Sequence, residues 1–192
     1  MSEFLKFIAE TRASDSSKLH TAILAQILNY DPILMQADLQ PLIRDPAFEY
    51  APIVKASVSC FRAGGFIIRP PYQPGDIVVA VIIERGIDDV FDTGTKAEQV
   101  GKRHHSLTDA VVIGGFTARP FPLPEDHGQD LLISTEDGSK KIIMDPDGNI
   151  QIETSGTIDI SSIGDIKIKS EGIVKIDGEQ ILLNSEEEGE EE

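Results

Sequence analysis

The stretch KIIMDPDG NIQIETSG TIDISSIG DIKIKSEG IVKIDGEQILL, residues 141–183, falls into rows of eight. Glycine closes four successive rows, at Gly148, Gly156, Gly164 and Gly172. Two residues after each glycine begins an aliphatic pair split by one polar residue: Ile150/Ile152, Ile158/Ile160, Ile166/Ile168 and Val174/Ile176. Ile142/Met144 fits the frame one row earlier, and Ile181/Leu183 fits one row later after the loss of one residue. Alternation with period two puts each pair on one face of a short β-strand. The polar residues between them, Gln151, Asp159, Lys167 and Lys175, then face the other way. Glycine at a fixed offset marks a corner that needs positive φ or close backbone approach. Recurrence at one period indicates a stacked array rather than a globular core.

A single chain cannot complete such an array. A three-sided solenoid needs about 24 residues per turn, and fewer than two turns cannot bury their own faces. Three intertwined copies can, with each row covering one side of a triangular prism. The predicted trimer core is then Ile142, Met144, Ile150, Ile152, Ile158, Ile160, Ile166, Ile168, Val174, Ile176, Ile181 and Leu183, with the four glycines at the corners. Six rows about 4.8 Å apart give a needle on the order of 30 Å long. Twelve inward aliphatics at about 2 kcal/mol each amount to roughly 24 kcal/mol gross per chain, an upper bound. An antiparallel meander of hairpins is the competing arrangement. It fits less well, because hairpins favour two-residue Asn-Gly or Asp-Gly turns and the register of eight would be accidental.

The rest of the chain agrees with thin β-structure. The 192 residues contain no Trp and only 6% aromatics. The net charge is −16, six of the acidic residues being glutamates in 185–192, a run that repels itself and is expected to be disordered. An acidic chain argues against binding a phosphate backbone, so no nucleic-acid partner is expected. The lone Cys60 allows no intrachain disulfide and is expected to be a small buried residue. The first residues include Glu3, Lys6 and Glu10 and do not read as a secretory leader. The longest apolar run, 77–83, is too short to span a bilayer. Synthesis as a soluble protein in a cytoplasm is therefore expected.

From the N-terminus, residues 2–12 read as a short amphipathic helix with Phe4, Leu5, Phe7 and Ile8 on one side. Residues 1–18 thus form a helix and linker. Strands are expected over 20–29, 33–43, 54–60, 66–69, 77–84 and 110–113, separated by turns at Asp31-Pro32, Ala63-Gly64-Gly65 and Gln73-Pro74-Gly75-Asp76. Residues 88–101 are expected to be a polar loop. Short strands with Gly/Pro turns over about 100 residues predict a small closed barrel such as an OB-fold over 19–118. The proline-alternating 119–124 should be extended and stiff, within a linker 119–130. The needle covers 131–184 and the acidic tail 185–192. The fold class is all-β.

Few residues carry chemistry. His104 and His105 are adjacent, so on a strand they point to opposite faces and chelate poorly. Asp109 near His105 invites an acid/base pair, but no nucleophile or oxyanion arrangement accompanies it. Asp145-x-Asp147-Gly148 lacks the ligands of a calcium loop and reads as a turn. No hydrolase, zinc-protease or phosphate-loop motif occurs. No catalytic residue, cofactor or metal site is predicted, and the chain is not expected to be an enzyme.

Three features together resemble the central spike, or cell-puncturing, proteins of contractile-tailed phage baseplates. They are the barrel segment Gln73-Pro74-Gly75-Asp76-Ile77-Val78-Val79 leading to Glu84-Arg85-Gly86-Ile87-Asp88, the segment Arg103-His104-His105-Ser106-Leu107-Thr108-Asp109-Ala110-Val111-Val112-Ile113-Gly114-Gly115, and the octads. The resemblance covers roughly residues 19–184. It implies an N-terminal OB-fold followed by an intertwined triple-stranded β-helix in a homotrimer. It implies a virion component of the tail baseplate, bound to a hub protein at the barrel end and driven through the host outer envelope. Some members carry a lysozyme domain between barrel and needle, for which 114–130 leaves no room. Some end in His-x-His that binds iron, whereas all four histidines here, His20, His104, His105 and His127, precede the octads. A separate tip-capping protein is the corresponding expectation. A phage-tail-like bacteriocin or secretion machine would use the same spike. An OB nucleic-acid module is disfavoured by charge and by the shortage of aromatic platforms.

Overall fold

The computed structural model describes residues 19–43, 49–98, 103–123 and 126–183. The expected N-terminal helix and the acidic tail lie outside the described residues. The chain divides into two units, with the boundary after Leu123.

In the first unit, β1 (Ala22–Asp31), β2 (Gln36–Pro41), β3 (Ile53–Val58), β6 (Ile77–Ile82) and β7 (Ala110–Gly115) close a barrel in the order β1-β2-β3-β7-β6. The β3–β7 pair is parallel and the others are antiparallel. This is the connectivity of an OB-like barrel, as expected from the strand spacing. Inward and outward residues alternate through β2 and β6. Ile27, Leu39, Val78 and Val112 are buried, together with Ala25, Ala37, Ala56, Ala80 and Ala110. So many alanines suit a narrow barrel whose interior is filled by side chains.

The β1–β2 connection departs from the sequence reading, which started the second strand at residue 33. The Asp31 carboxylate accepts from the N–H groups of Ile33 and Leu34 at 2.8 and 2.9 Å, and Met35 takes φ 53°. This aspartate-capped turn delays β2 to Gln36 and leaves Ile33 and Leu34 exposed. Next, β4 (Phe61–Ala63) and β5 (Phe66–Ile68) form a hairpin. Gly64 and Gly65 lie at φ 56° and 85°. A two-residue turn with positive φ at both positions matches the strand twist and demands residues such as these. Cys60, just before the hairpin, is half-buried rather than enclosed.

The expected loop over 88–101 contains a helix, α1 (Asp88–Thr93), ended by Gly94 at φ 65°. Six residues are too few to show helical periodicity in sequence. Its Asp88 and Asp89 suit the positive end of the helix dipole. Nor is the proline-rich segment extended throughout, because Phe121 N–H donates to the Ala118 carbonyl at 2.9 Å and turns the chain.

The second unit begins as an antiparallel meander of β8 (Leu131–Ser134), β9 (Lys140–Met144) and β10 (Ile150–Thr154). The first two octad rows therefore pair with each other inside one chain, Ile150 opposite Met144 and Ile152 opposite Ile142. Their connection is a tight turn in which Asp145 accepts from Asn149 N–H at 2.9 Å and Gly148 adopts φ 92°. The β8–β9 turn is held by Asp137, which accepts from Thr135 Oγ1 at 2.6 Å and from Ser139 N–H at 3.1 Å.

Those hydrogen bonds, the Thr135 hydroxyl foremost, lower the Asp137 pKa from 3.8 to about 2. A depressed carboxylate pKa contributes stability above the unfolded value, and that contribution is lost as pH falls through the folded one. Between pH 4 and pH 2 the β8–β9 turn should loosen, seen as faster amide exchange at Ser139 and Lys140. Asp137→Asn should remove that pH dependence; an unchanged profile in the variant would assign it to another group.

Candidate functional site

The second unit presents an unpartnered apolar surface. Strand register puts Leu131, Ile133, Ile142, Met144, Ile150 and Ile152 on one face of the meander. All six are exposed, from 36% at Ile142 to 66% at Ile150. On the opposite face Ile143 is buried, opposite Leu132 and Gln151. The sequence frame did not single out Ile143; the run Ile142-Ile143-Met144, apolar on both faces, was its signal. Beside Ile143, Lys141 Nζ lies 3.4 Å from Asp126, 3.5 Å from Glu153 and 3.1 Å from His127 Nε2. Burial pulls the Lys141 pKa down, but the hydrogen bond to Asp126 and the charge of Glu153 outweigh it and the net direction is upward.

After Thr154, residues 155–183 carry no β-ladder within the chain. Local structure nevertheless repeats with the period of the sequence. Gly156 N–H donates to Thr154 Oγ1 at 3.0 Å, Gly164 N–H to Ser162 Oγ at 3.1 Å and Gly172 N–H to Ser170 Oγ at 3.1 Å. The Thr or Ser two residues before each of these three glycines is the sequence signal of these bonds, one that the aliphatic frame does not contain. It turns the chain locally at each corner.

Exposure repeats too. Ile158, Ile166, Val174 and Ile181, the first members of the pairs, are 50–54% exposed; Ile160, Ile168, Ile176 and Leu183, the second members, are 66–81% exposed. Successive rows thus occupy equivalent settings, and none of these eight side chains is buried within one chain. Of the four corner glycines only Gly148 has positive φ. A Cβ at Gly156, Gly164 or Gly172 would meet a Thr or Ser hydroxyl at 3.7–3.9 Å, an ordinary contact. Within one chain, neither reason for glycine is visible at those three corners. Lys167 and Lys175 pair with carboxylates two residues away in sequence, Asp165 at 3.3 Å and Asp177 at 3.1 Å. Such exposed pairs contribute about 0–1 kcal/mol.

The second candidate is the segment 103–109 on the barrel. Asp109 is fully buried at the foot of β7, in a 3₁₀ turn, Leu107–Asp109, capped by Ser106. The acid/base pair that the nearness of Asp109 to His105 invited, and that the sequence reading set aside, is not formed. Arg103 grips the carboxylate with both arms, Nε to Oδ2 at 2.8 Å and Nη2 to Oδ1 at 2.7 Å, and Ile87 N–H adds a third bond at 3.3 Å. Nη2 also reaches Asp88 at 2.6 Å, joining the foot of α1 to the clamp. These hydrogen bonds, that to Asp109 first, raise the pKa of Arg103. A Cβ at Gly86 would sit 3.0 Å from Arg103 Nη2, so glycine there leaves room for the guanidinium.

His104 Nε2 lies 2.6 Å from Arg85 Nη1, and the two residues form an antiparallel bridge. His105 N–H donates to the Glu84 carbonyl at 3.2 Å, while its Nδ1 is buried without a hydrogen-bond partner. The arrangement ties a long excursion to the barrel; it brings no nucleophile to Asp109. Among the described residues, no three His, Cys, Asp or Glu side chains gather as a metal-ion cluster.

No curated protein matches the chain. Residues 23–115, from β1 to the end of β7, match the family model described as phage protein Gp138 N-terminal domain, and this match supports a phage structural protein.

Proposed function

We propose that the chain is the central spike of a contractile phage tail, a homotrimer whose barrel unit joins the tail hub and whose octad unit forms the needle that pierces the host envelope. The observation that carries this reading is the repeated row of aliphatic pairs, equivalent in setting from Ile158 to Leu183 and exposed in every row. A soluble chain does not leave so continuous an apolar surface uncovered without a partner for it. The period-eight repetition makes identical copies the natural partner, since each copy supplies the same surface at the same height. The phage family match over the barrel agrees with a virion component.

Mechanically, interchain backbone hydrogen bonds would leave no free strand edge along the shaft, and a dry aliphatic axis would resist compression. The force comes from the contracting tail, so no chemistry is required of this chain. A separate tip-capping protein at the distal end is part of the proposal. Light scattering of the purified chain should give about three times 20.9 kDa, and the assembly should survive detergent. A well-behaved monomer at micromolar concentration would overturn the proposal.

A further inference from the structure

Residues 1–18 lead into the barrel at the rim of an apolar groove. The groove has a volume of about 330 Å³, and its walls include His20, Ile23, Leu24, Ile43, Tyr50 and Leu107. Among the described residues, no aspartate, glutamate, lysine or arginine lines it. The barrel fixes these walls. Tyr50 meets His20 edge-on with ring centroids 5.9 Å apart, and Gln40 Nε2 donates to the Tyr50 carbonyl at 3.1 Å. Leu42 N–H donates to the Leu24 carbonyl and Ile82 N–H to the Thr21 carbonyl, both at 2.9 Å. Ile43 on the wall is 70% exposed, and Leu19, next to His20, is 53% exposed.

The chain itself brings an occupant to this place. His20 is part of the wall, so residues 1–18 depart from the edge of the groove. Their large apolar side chains are confined to Met1, Phe4, Leu5, Phe7 and Ile8, and residues 9–18 contain none. Phe4, Phe7 and Ile8 have the i, i+3, i+4 spacing that places side chains together on one helical face. An apolar cavity of ~150 Å³ accommodates a benzene ring, so this groove has room for two phenyl rings. The polar stretch from Ile8 to His20 reaches up to about 40 Å when extended, ample to double back on its own root. A short flexible tether supplies an effective concentration on the order of millimolar. A contact of a few side chains then suffices, whereas a separate chain needs an interface of about 1,000 Å² or more.

We infer that residues 4–8 fold back on their own chain and seat Phe4 and Phe7 in this groove, so that the barrel covers its apolar mouth with the segment that precedes it. The inference needs only one chain and stands apart from the homotrimer reading.

The chain contains no Trp, so Phe7→Trp places a single emitter in the segment of the full-length protein. Its fluorescence should be blue-shifted and poorly quenched by acrylamide. Adding Ile43→Glu, on the groove wall but outside the barrel core, should shift the emission to the red and raise quenching several-fold. Val54→Glu, similarly exposed but not on this wall, should leave the emission blue-shifted. A cysteine pair then decides whose groove is filled. In Cys60→Ser with Phe4→Cys and Ile43→Cys, mild oxidation should give a disulfide within one chain, a faster band of single-chain mass on a non-reducing denaturing gel. Chains linked to one another would overturn the inference, by putting the segment in another copy's groove. Solvent-exposed emission from Phe7→Trp alone, emission unmoved by Ile43→Glu, or no disulfide at all would overturn it too, by placing the segment elsewhere.

Discussion

Ile160→Asp should abolish trimer formation, leaving a species near 20.9 kDa by light scattering. Ile160 is a second member of its pair, 75% exposed in the single chain, and on the proposed axis it meets two copies of itself. The substitution forfeits about 2 kcal/mol of apolar burial per chain. It also places three carboxylates at one level with no cation near, and each unpaired buried ion costs several kcal/mol. Each 1.4 kcal/mol is tenfold in an equilibrium constant, so the combined loss removes many decades of association. Acidification to about pH 4 should recover part of the assembly, because a buried carboxyl can shed its charge. The barrel should be unaffected, since its core ends at Val112. Lys167→Asp, in the polar column, serves as the control and should still give trimers. Normal trimers from Ile160→Asp would refute the inward assignment.

Arg103→Ala should be the most damaging single change in the barrel unit. It strips Asp109, wholly buried, of a partner that occupies both carboxylate oxygens. Breaking a buried pair by removing one partner costs about 3–5 kcal/mol. Here the lower end applies, because the guanidinium is 38% exposed and water can take part of its place. A loss near 3 kcal/mol is on the order of 10–20 °C in melting temperature for a domain of about 100 residues. Arg103→Lys should recover only part of it, since an ammonium cannot engage both oxygens in a planar fork. Asp109→Asn with Arg103→Ala should be milder than Arg103→Ala alone, because the buried charge goes with its partner. Equal melting temperatures for wild type and Arg103→Ala would show that the clamp contributes nothing.

Several elements were legible because they are local. The apolar run 77–83 marked the strand β6, although its inward alternation of Val78, Ala80 and Ile82 appears only in the structure, and Gly64-Gly65 form the turn that their freedom at positive φ permits. The delayed start of β2 was not legible, because it depends on where the Asp31 side chain points. Nor was α1, too short to leave a periodic trace. In the barrel site, sequence marked Arg103 through Asp109 as distinctive and set aside an Asp109–His105 acid/base pair, but it did not show the true partner, because the path of the loop brings Arg103 across Gly86 to the carboxylate.

The amino-acid order alone determined the eight-residue period, the alternation within each row and the acidic charge, all properties of neighbouring residues. Tertiary structure decided that β3 and β7 pair in parallel to close the barrel, that Arg103 rather than a histidine holds Asp109, and that the first two octad rows fold against each other. It also decided that the later pairs find no cover within their own chain. The physical reason is that a pattern states which face of a strand is apolar, while what lies against that face is settled by residues distant in the chain.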